Sequence, residues 1–211
     1  MDREVNPIFS SSSFWNHEDH VIKEHTPKDV SVISDKIRPF SRGLTQNDRV
    51  LDLGCGAFSL EYLDGGFPSW WQKVIIGADF SINTLRINKI LSKTVSEAQG
   101  LPFANDSFKL VTCFFLLRYV PKNDLPQVIR EIARVARPHA NFVGVDFQWD
   151  RCSGGSVDLD LLKQLLAERF ESIKVKQILP QVECCSPLTY CGDIQRGPAY
   201  LFTGRRKFRA G

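Results

Sequence analysis

The chain has 211 residues, of which 43% are hydrophobic and 24% charged, with a formal net charge of +3. That length suits one domain with a full-sized core, and the composition is ordinary for a soluble globular protein. The charge excess is too small to argue for nucleic-acid or membrane partners, and no apolar run approaches the roughly 20 residues of a membrane-spanning helix.

The first residues, Met1-Asp2-Arg3-Glu4, are charged and show no secretory signal. Ser10 to Ser13 end a polar lead-in. In Phe14 to Ile22, aromatics precede a polar segment that contains His17 and His20. These histidines and His25 lack metal-ligand spacing, so no metal is expected. The segment reads either as a solvated helix or as a lid whose Phe14, Trp15 or His17 closes over a site. Val30, Ile33, Ile37 and Phe40 share one face of an amphipathic helix, and Thr45 to Asp48 form a polar turn. Residues 1–44 are therefore expected to be an N-terminal lid and helical segment, and residues 45–211 the main domain. The six cysteines are scattered, two of them inside apolar elements, which fits reduced thiols in a cytoplasmic protein.

Arg49 to Ser59 is the organising stretch. Val50, Leu51 and Leu53 form the apolar run of a strand buried on both faces. Gly54 and Gly56 then turn the backbone where no Cβ obstructs a ligand. A helix is expected from Ser59, so the turn presents free N–H groups at the carboxyl edge of a sheet. Asp52 disfavours a pyrophosphate and suits a cationic group such as an amino acid's ammonium. Ser59 stands where a dinucleotide fingerprint has its third glycine, which disfavours a nicotinamide-dependent oxidoreductase.

Gly65-Gly66 ends the helix after this turn, and Phe67 to Trp71 form an aromatic loop. Lys73 to Asp79 read as a second buried strand ending in a carboxylate. Asp79 stands at the spacing from the glycine turn at which a carboxylate reaches ribose hydroxyls; its alternative role is a helix cap. Ser81 is the better cap for a helix through Leu91. Phe80 either stacks on an adenine or fills the core. Phe108 to Leu117 form a third central strand, with Arg118-Tyr119 at its end. From Asp124, a helix places Leu125, Val128, Ile129, Ile132, Val135 and Ala136 on one face. Residues 137–141 stop it before a strand over Phe142 to Phe147. A Gly/Ser loop follows Trp149, then a helix from Asp158 to Phe170 and strands over Ile173 to Ile178 and Ala199 to Thr203. The connection Leu179 to Pro198 is long for a compact domain, and its Cys184, Cys185 and Cys191 lack zinc spacing. The alternation argues for a doubly wound, mostly parallel α/β sheet with helices on both faces, binding a nucleoside-type cofactor at the strand ends.

The order of these segments resembles the class I S-adenosylmethionine-dependent methyltransferases over about residues 45–205. Val50-Leu51-Asp52-Leu53-Gly54-Cys55-Gly56 resembles that family's first motif, and Asp79 with Phe80-Ser81 its ribose-binding acidic position. Glu97-Ala98, Leu101-Pro102-Phe103 and Asp106-Ser107-Phe108 resemble the adenine-side motif. Arg130 to Val135, followed by Arg137-Pro138, resembles the helix before the fifth strand. The resemblance implies a seven-stranded sheet with its last strand antiparallel. It implies that Asp52 and the Gly54-Cys55-Gly56 backbone hold the methionine part of S-adenosylmethionine. Asp79 would then accept from the ribose, Glu97 or the Ala98 backbone would meet the adenine with Phe80 or Leu101 against its ring, and Cys113 and Phe114 would lie beside the sulfonium. Three departures stand out: Ala57-Phe58 after the second glycine, Arg118-Tyr119 where many relatives have His-His, and Pro138-His139-Ala140 for Pro-Gly-Gly, with Asn141 expected to absorb the unusual dihedrals.

The function implied is methyl transfer to an O, N or S nucleophile by in-line displacement. If the acceptor carries a proton, Tyr119, Asp146, His17 and His20 are the candidate bases, while Arg118, Trp15 and Trp149 are candidate acceptor contacts. A small-molecule acceptor is expected. The basic end, Arg205 to Arg209, makes a modest case for an RNA or protein substrate. The alternative class is a non-catalytic S-adenosylmethionine-binding scaffold or activating subunit.

Overall fold

The computed structural model describes residues 27–57, 70–148, 156–180, 182–184 and 194–208. Helix α1 (Pro27–Ser41) buries Ile33 and Ile37 completely, as their four-residue spacing requires. At about 1.5–3 kcal/mol for each fully buried side chain, these two anchor the helix to the sheet. Strand β1 (Val50–Leu53) is buried at all four positions. It pairs in parallel with β2 (Ile75–Asp79) on one side and with β4 (Phe108–Phe114) on the other. The remaining described strands are β3 (Ser92–Val95), β5 (Ala136–Phe147), β6 (Phe170–Leu179), β7 (Val182–Cys184), β8 (Ile194–Arg196) and β9 (Ala199–Arg206). Seven of these nine form one sheet in the order β3-β2-β1-β4-β5-β9-β6. Within it only β9 runs antiparallel to its neighbours β5 and β6, so the doubly wound sheet with its last strand reversed is the architecture found.

Helices α2 (Trp71–Val74), α3 (Ile82–Ile87), α4 (Leu125–Val135) and α5 (Leu159–Arg169) complete the described α-helices. One face of the sheet packs Leu51, Leu53 and Val111 against Val128, Ile129 and Ile132 of α4 and Leu162 and Leu166 of α5. The other packs Val50, Ile75 and Leu110 with Ile33, Ile37, Trp71 and Leu85. Among the described residues, no helix is long and apolar enough to cross a membrane.

Several boundaries differ from the sequence expectation, each for a local reason. Residues 71–74 form a helical turn that buries Trp71 and Val74, so β2 starts at Ile75 and not Lys73. Ser81 does cap α3, accepting from the Thr84 N–H at 3.2 Å. The helix nevertheless stops at Ile87, because the Asn88 side chain accepts the Ile90 N–H at 2.7 Å. Strand β3 is an element the sequence does not announce: its residues Ser-Lys-Thr-Val are largely exposed at the sheet edge and carry no apolar run. Strand β4 ends at Phe114, where Phe115 takes φ +58. β5 begins at Ala136, six residues earlier than expected, and the left-handed residue is His139 (φ +63), not Asn141. Phe170 opens β6 and does not close α5, and the long connection contains the β7–β8 hairpin. The helix expected from Ser59, together with Trp15, His17, His20, Trp149, Cys185 and Cys191, lies outside the described residues.

Candidate functional site

The parallel strands β2, β1 and β4 bring Asp79, the glycine turn and Cys113-Phe114 to one sheet edge. Gly54 (φ +67) and Gly56 (φ +49) both lie in the left-handed region that favours glycine. The N–H groups of Gly54 and Cys55 donate to the Ala78 carbonyl at 2.8 and 3.2 Å, which ties the turn to β2. A Cβ on Gly54 would stand 2.9 Å from Leu116 Cβ, whereas one on Gly56 would meet nothing within 4 Å among the described residues. The turn is therefore closed on the Leu116 side and open at Gly56, where a ligand has room to approach the backbone.

Asp79 is 8% exposed. Its Oδ2 accepts from the Gly56 N–H and its Oδ1 from the Ser81 N–H, both at 2.9 Å. Burial pushes its carboxyl above the usual carboxylate range, while the Ser81 and Gly56 donors pull it back. The Thr84 hydroxyl also lies 3.4 Å from its Oδ1, so at least three of the roughly four hydrogen bonds a carboxylate can accept are already engaged. Asp52 is wholly buried, and its Oδ1 accepts from the Thr112 hydroxyl at 2.8 Å. Asn88 donates to the Cys55 and Gly56 carbonyls at 3.2 and 2.6 Å. Sequence reasoning missed Thr112 and Asn88, because each acts through a partner 60 or 32 residues away.

The Cys55 and Cys113 thiols are free and buried. Burial first, then the charges of Asp52 and Asp79, raises the Cys55 thiol; burial, then Asp146 and Asp52, raises Cys113. Both are thus poor nucleophiles at neutral pH. The Cys55 side chain packs on Gly77, whose added Cβ would stand 2.8 Å from its sulfur, so only the Cys55 backbone faces the turn.

The loop after β3 carries the expected adenine-side residues. Glu97 is exposed, Ala98 half-buried and Leu101 buried, while Phe80, half-buried, follows the end of β2. Helix α4 clamps this loop. Glu131 accepts the Leu101 N–H at 2.9 Å, and Arg134 donates to the Leu101 and Phe103 carbonyls at 2.9 and 2.7 Å. The pair is closed by Arg134 bonds of 2.7 and 2.8 Å to the two Glu131 oxygens. The one helical turn separating Glu131 from Arg134 was the available signal for this clamp.

Arg118 and Asp146, expected in the cleft, are instead buried together with no side-chain exposure, 3.0 Å apart. Asp146 Oδ2 also accepts the Arg118 backbone N–H at 3.1 Å, and Arg118 donates to the Tyr119 hydroxyl at 2.8 Å. The guanidinium lies 5.5, 4.4 and 5.5 Å from the ring centroids of Phe115, Tyr119 and Phe147. Burial raises the Asp146 carboxyl, and the Arg118 charge opposes it. Phe115, in the left-handed region, holds about 1–3 kcal/mol of backbone strain. Tyr119 remains partly exposed beside Arg118.

The basic end is partly internal. Arg206 is 4% exposed and donates to the Ala133 and Arg169 carbonyls at 2.7 and 3.0 Å. Lys207 donates to the Ala167 carbonyl at 2.6 Å. Two of the charges that suggested an acidic partner therefore serve the C-terminal ends of α4 and α5.

Residues 51–144 match the family model of a methyltransferase domain. The demethylmenaquinone methyltransferase of Renibacterium salmoninarum is 32% identical over 111 residues, covering 50% of this chain and 44% of that protein. The 2-phytyl-1,4-naphtoquinone methyltransferase of Synechococcus elongatus is 36% identical over 109 residues, covering 47% and 46%. The chain spans less than half the length of these curated relatives. Among solved structures, geranyl diphosphate C-methyltransferase of Streptomyces coelicolor superposes over 95% of this chain and 98% of its own, with TM-score 0.65 and 14% identity. An S-adenosylmethionine-dependent methyltransferase of Archaeoglobus fulgidus covers 86% and 95%, with TM-score 0.62 and 14% identity. At those identities the likeness is one of fold, and it agrees with the strand order. Motif order and sheet topology both agree with the methyltransferase-domain match over residues 51–144.

Proposed function

We propose that this protein binds S-adenosylmethionine at the carboxyl edge of β1, β2 and β4 and transfers its methyl group to a small-molecule acceptor. The observation that carries the reading is the pairing of an open left-handed glycine with a carboxylate. Among the described residues nothing crowds Gly56, and its N–H is held by Asp79. An acidic edge of this kind fits an ammonium and ribose hydroxyls better than a phosphate. The geranyl diphosphate C-methyltransferase of the same fold was solved with S-adenosyl-L-homocysteine.

In this reading, Asp79 accepts from the ribose hydroxyls. Glu97, Ala98, Leu101 and Phe80 border the adenine, and Asp52, through Thr112 and the turn, shapes the methionine end. Cys113 and Phe114 back the transfer point. When bound, the cofactor supplies a methyl group already activated by a sulfonium, so the chain's task is alignment and exclusion of water. Tyr119 is the described candidate for holding an acceptor proton, at the end of the β4 turn. The names of the curated relatives support a quinone-type ring as acceptor.

The test is calorimetric titration with S-adenosylmethionine and S-adenosylhomocysteine, on the parent and on Asp79→Ala. Micromolar binding that weakens at least about tenfold in the variant is expected, since a lost hydrogen bond to a charged group is worth about 1.5–3 kcal/mol. Labelled-methyl transfer to quinone acceptors then separates an enzyme from a scaffold. A parent that binds neither ligand ends the cofactor reading, and equal binding by Asp79→Ala ends the ribose assignment.

A further inference from the structure

Arg118 sits at the junction of three parts of the site. Through Asp146 it is tied to β5, with bonds from both its guanidinium and its own backbone N–H. Asp146 is itself fixed, its Oδ1 also accepting the Phe147 N–H at 2.9 Å. Through its Nη2 it holds the Tyr119 hydroxyl, and three aromatic rings surround its charge. The turn it sits in starts with a strained residue: Phe115 has φ +58, its N–H donates to the Val145 carbonyl at 2.7 Å, and its ring stacks on Phe147 at 5.2 Å. A bulky residue keeps such a conformation only where its surroundings enforce it. The next residue, Leu116, carries the side chain that fills the space beside Gly54.

We propose that Arg118 is a positioning residue: its pairing with Asp146 locks the turn Phe115–Tyr119 so that Leu116 stands against Gly54 as a wall of the cofactor cleft. A guanidinium with no exposed surface is poorly placed to meet an acceptor, yet well placed to hold a turn from inside. Arginine suits the task because its planar fork can pair, donate sideways and stack at once. The inference rests on the cofactor reading above.

The test compares parent, Arg118→Lys, the paired variant Arg118→Met/Asp146→Leu, and Leu116→Ala. Each is titrated with S-adenosylhomocysteine in the absence of acceptor, and hydrogen exchange is read at amides 115–119. The paired variant replaces both charges with apolar groups, a change that buried ion pairs often tolerate, whereas removing one partner strands a buried charge. The paired variant and Leu116→Ala are expected to bind about tenfold more weakly, with Arg118→Lys between them and the parent. Exchange at 115–119 should speed up in both Arg118 variants. A folded paired variant with parental exchange and affinity within about twofold of the parent overturns the proposal, as does a change confined to the acceptor's KM. If the paired variant does not fold, Leu116→Ala decides: weaker binding supports the wall, and unchanged binding removes it. A parent that fails to bind S-adenosylhomocysteine sinks the cofactor reading, while exchange in Arg118→Lys still reports on the lock.

Discussion

Gly54→Ala isolates what the glycine turn requires. The new methyl group would face two costs. At φ +67 a Cβ crowds the following carbonyl, costing about 1–2 kcal/mol. It would also stand 2.9 Å from Leu116 Cβ and about as close to both Cδ atoms, so the clash is with the root of the side chain and not its flexible tip. Relief needs movement of a turn held by the Arg118–Asp146 pair, and overpacking of this kind costs about 1–3 kcal/mol. The sum is about 2–5 kcal/mol. Gly56→Ala is the internal control, since its Cβ meets nothing among the described residues and the dihedral cost of about 1–2 kcal/mol applies. Urea unfolding at 25 °C measures both. A cycle with Leu116→Gly, which removes the Cβ as well, then separates the terms: Gly54→Ala and Leu116→Gly should be less than additive by about 1–3 kcal/mol. Additivity within about 0.5 kcal/mol, with Gly54→Ala no worse than Gly56→Ala, would refute the steric reasoning.

Three further outcomes follow from buried polar contacts. Arg134's hydrogen bonds hold the Glu131 carboxyl below its ordinary value, so this group contributes stability that is fully present above about pH 4.5 and lost as pH falls through the folded value. Glu131→Gln should therefore cost about 1–3 kcal/mol at pH 7, a cost that shrinks as pH falls below about 4.5; a gap that stays constant as the carboxyl is titrated would contradict the clamp. Thr112→Val, similar in volume, should cost about 1–3 kcal/mol by leaving the buried Asp52 carboxylate short of a donor, and Thr112→Ser should recover most of it. Equal unfolding free energies for the Val and Ser variants would dismiss that bond. Arg206→Lys should cost about 1–3 kcal/mol, because an ammonium cannot span the Ala133 and Arg169 carbonyls as the fork does. A neutral result would return Arg206 to the role of a surface charge.

Residues that act on their near neighbours are legible in the amino-acid sequence itself. The four-residue run of β1 followed by Gly54 and Gly56 announces a central strand and a tight turn, since burial on both faces selects continuous apolar residues. Helix α4 is visible because its apolar residues repeat with the helical period, and Ser81 because a cap bonds within its own turn. Strand β3 is illegible for the opposite reason: it is a short edge strand whose exposed faces need no apolar pattern, and only its pairing with β2 makes it a strand. The end of α3 is also hidden, because Asn88 reads as one more helical residue until its side chain is seen to bond Ile90, Cys55 and Gly56.

The same division runs through the site. Local chain chemistry is enough to single out Asp52, the glycine turn and Asp79, because strand, turn and acidic strand end recur in order along the chain. Whether Arg118 and Asp146 face a ligand or each other depends on a chain separation of 28 positions and on the packing of β4 against β5. Burial is a property of that packing: a charge removed from water must find its counter-charge, and the two met in the interior.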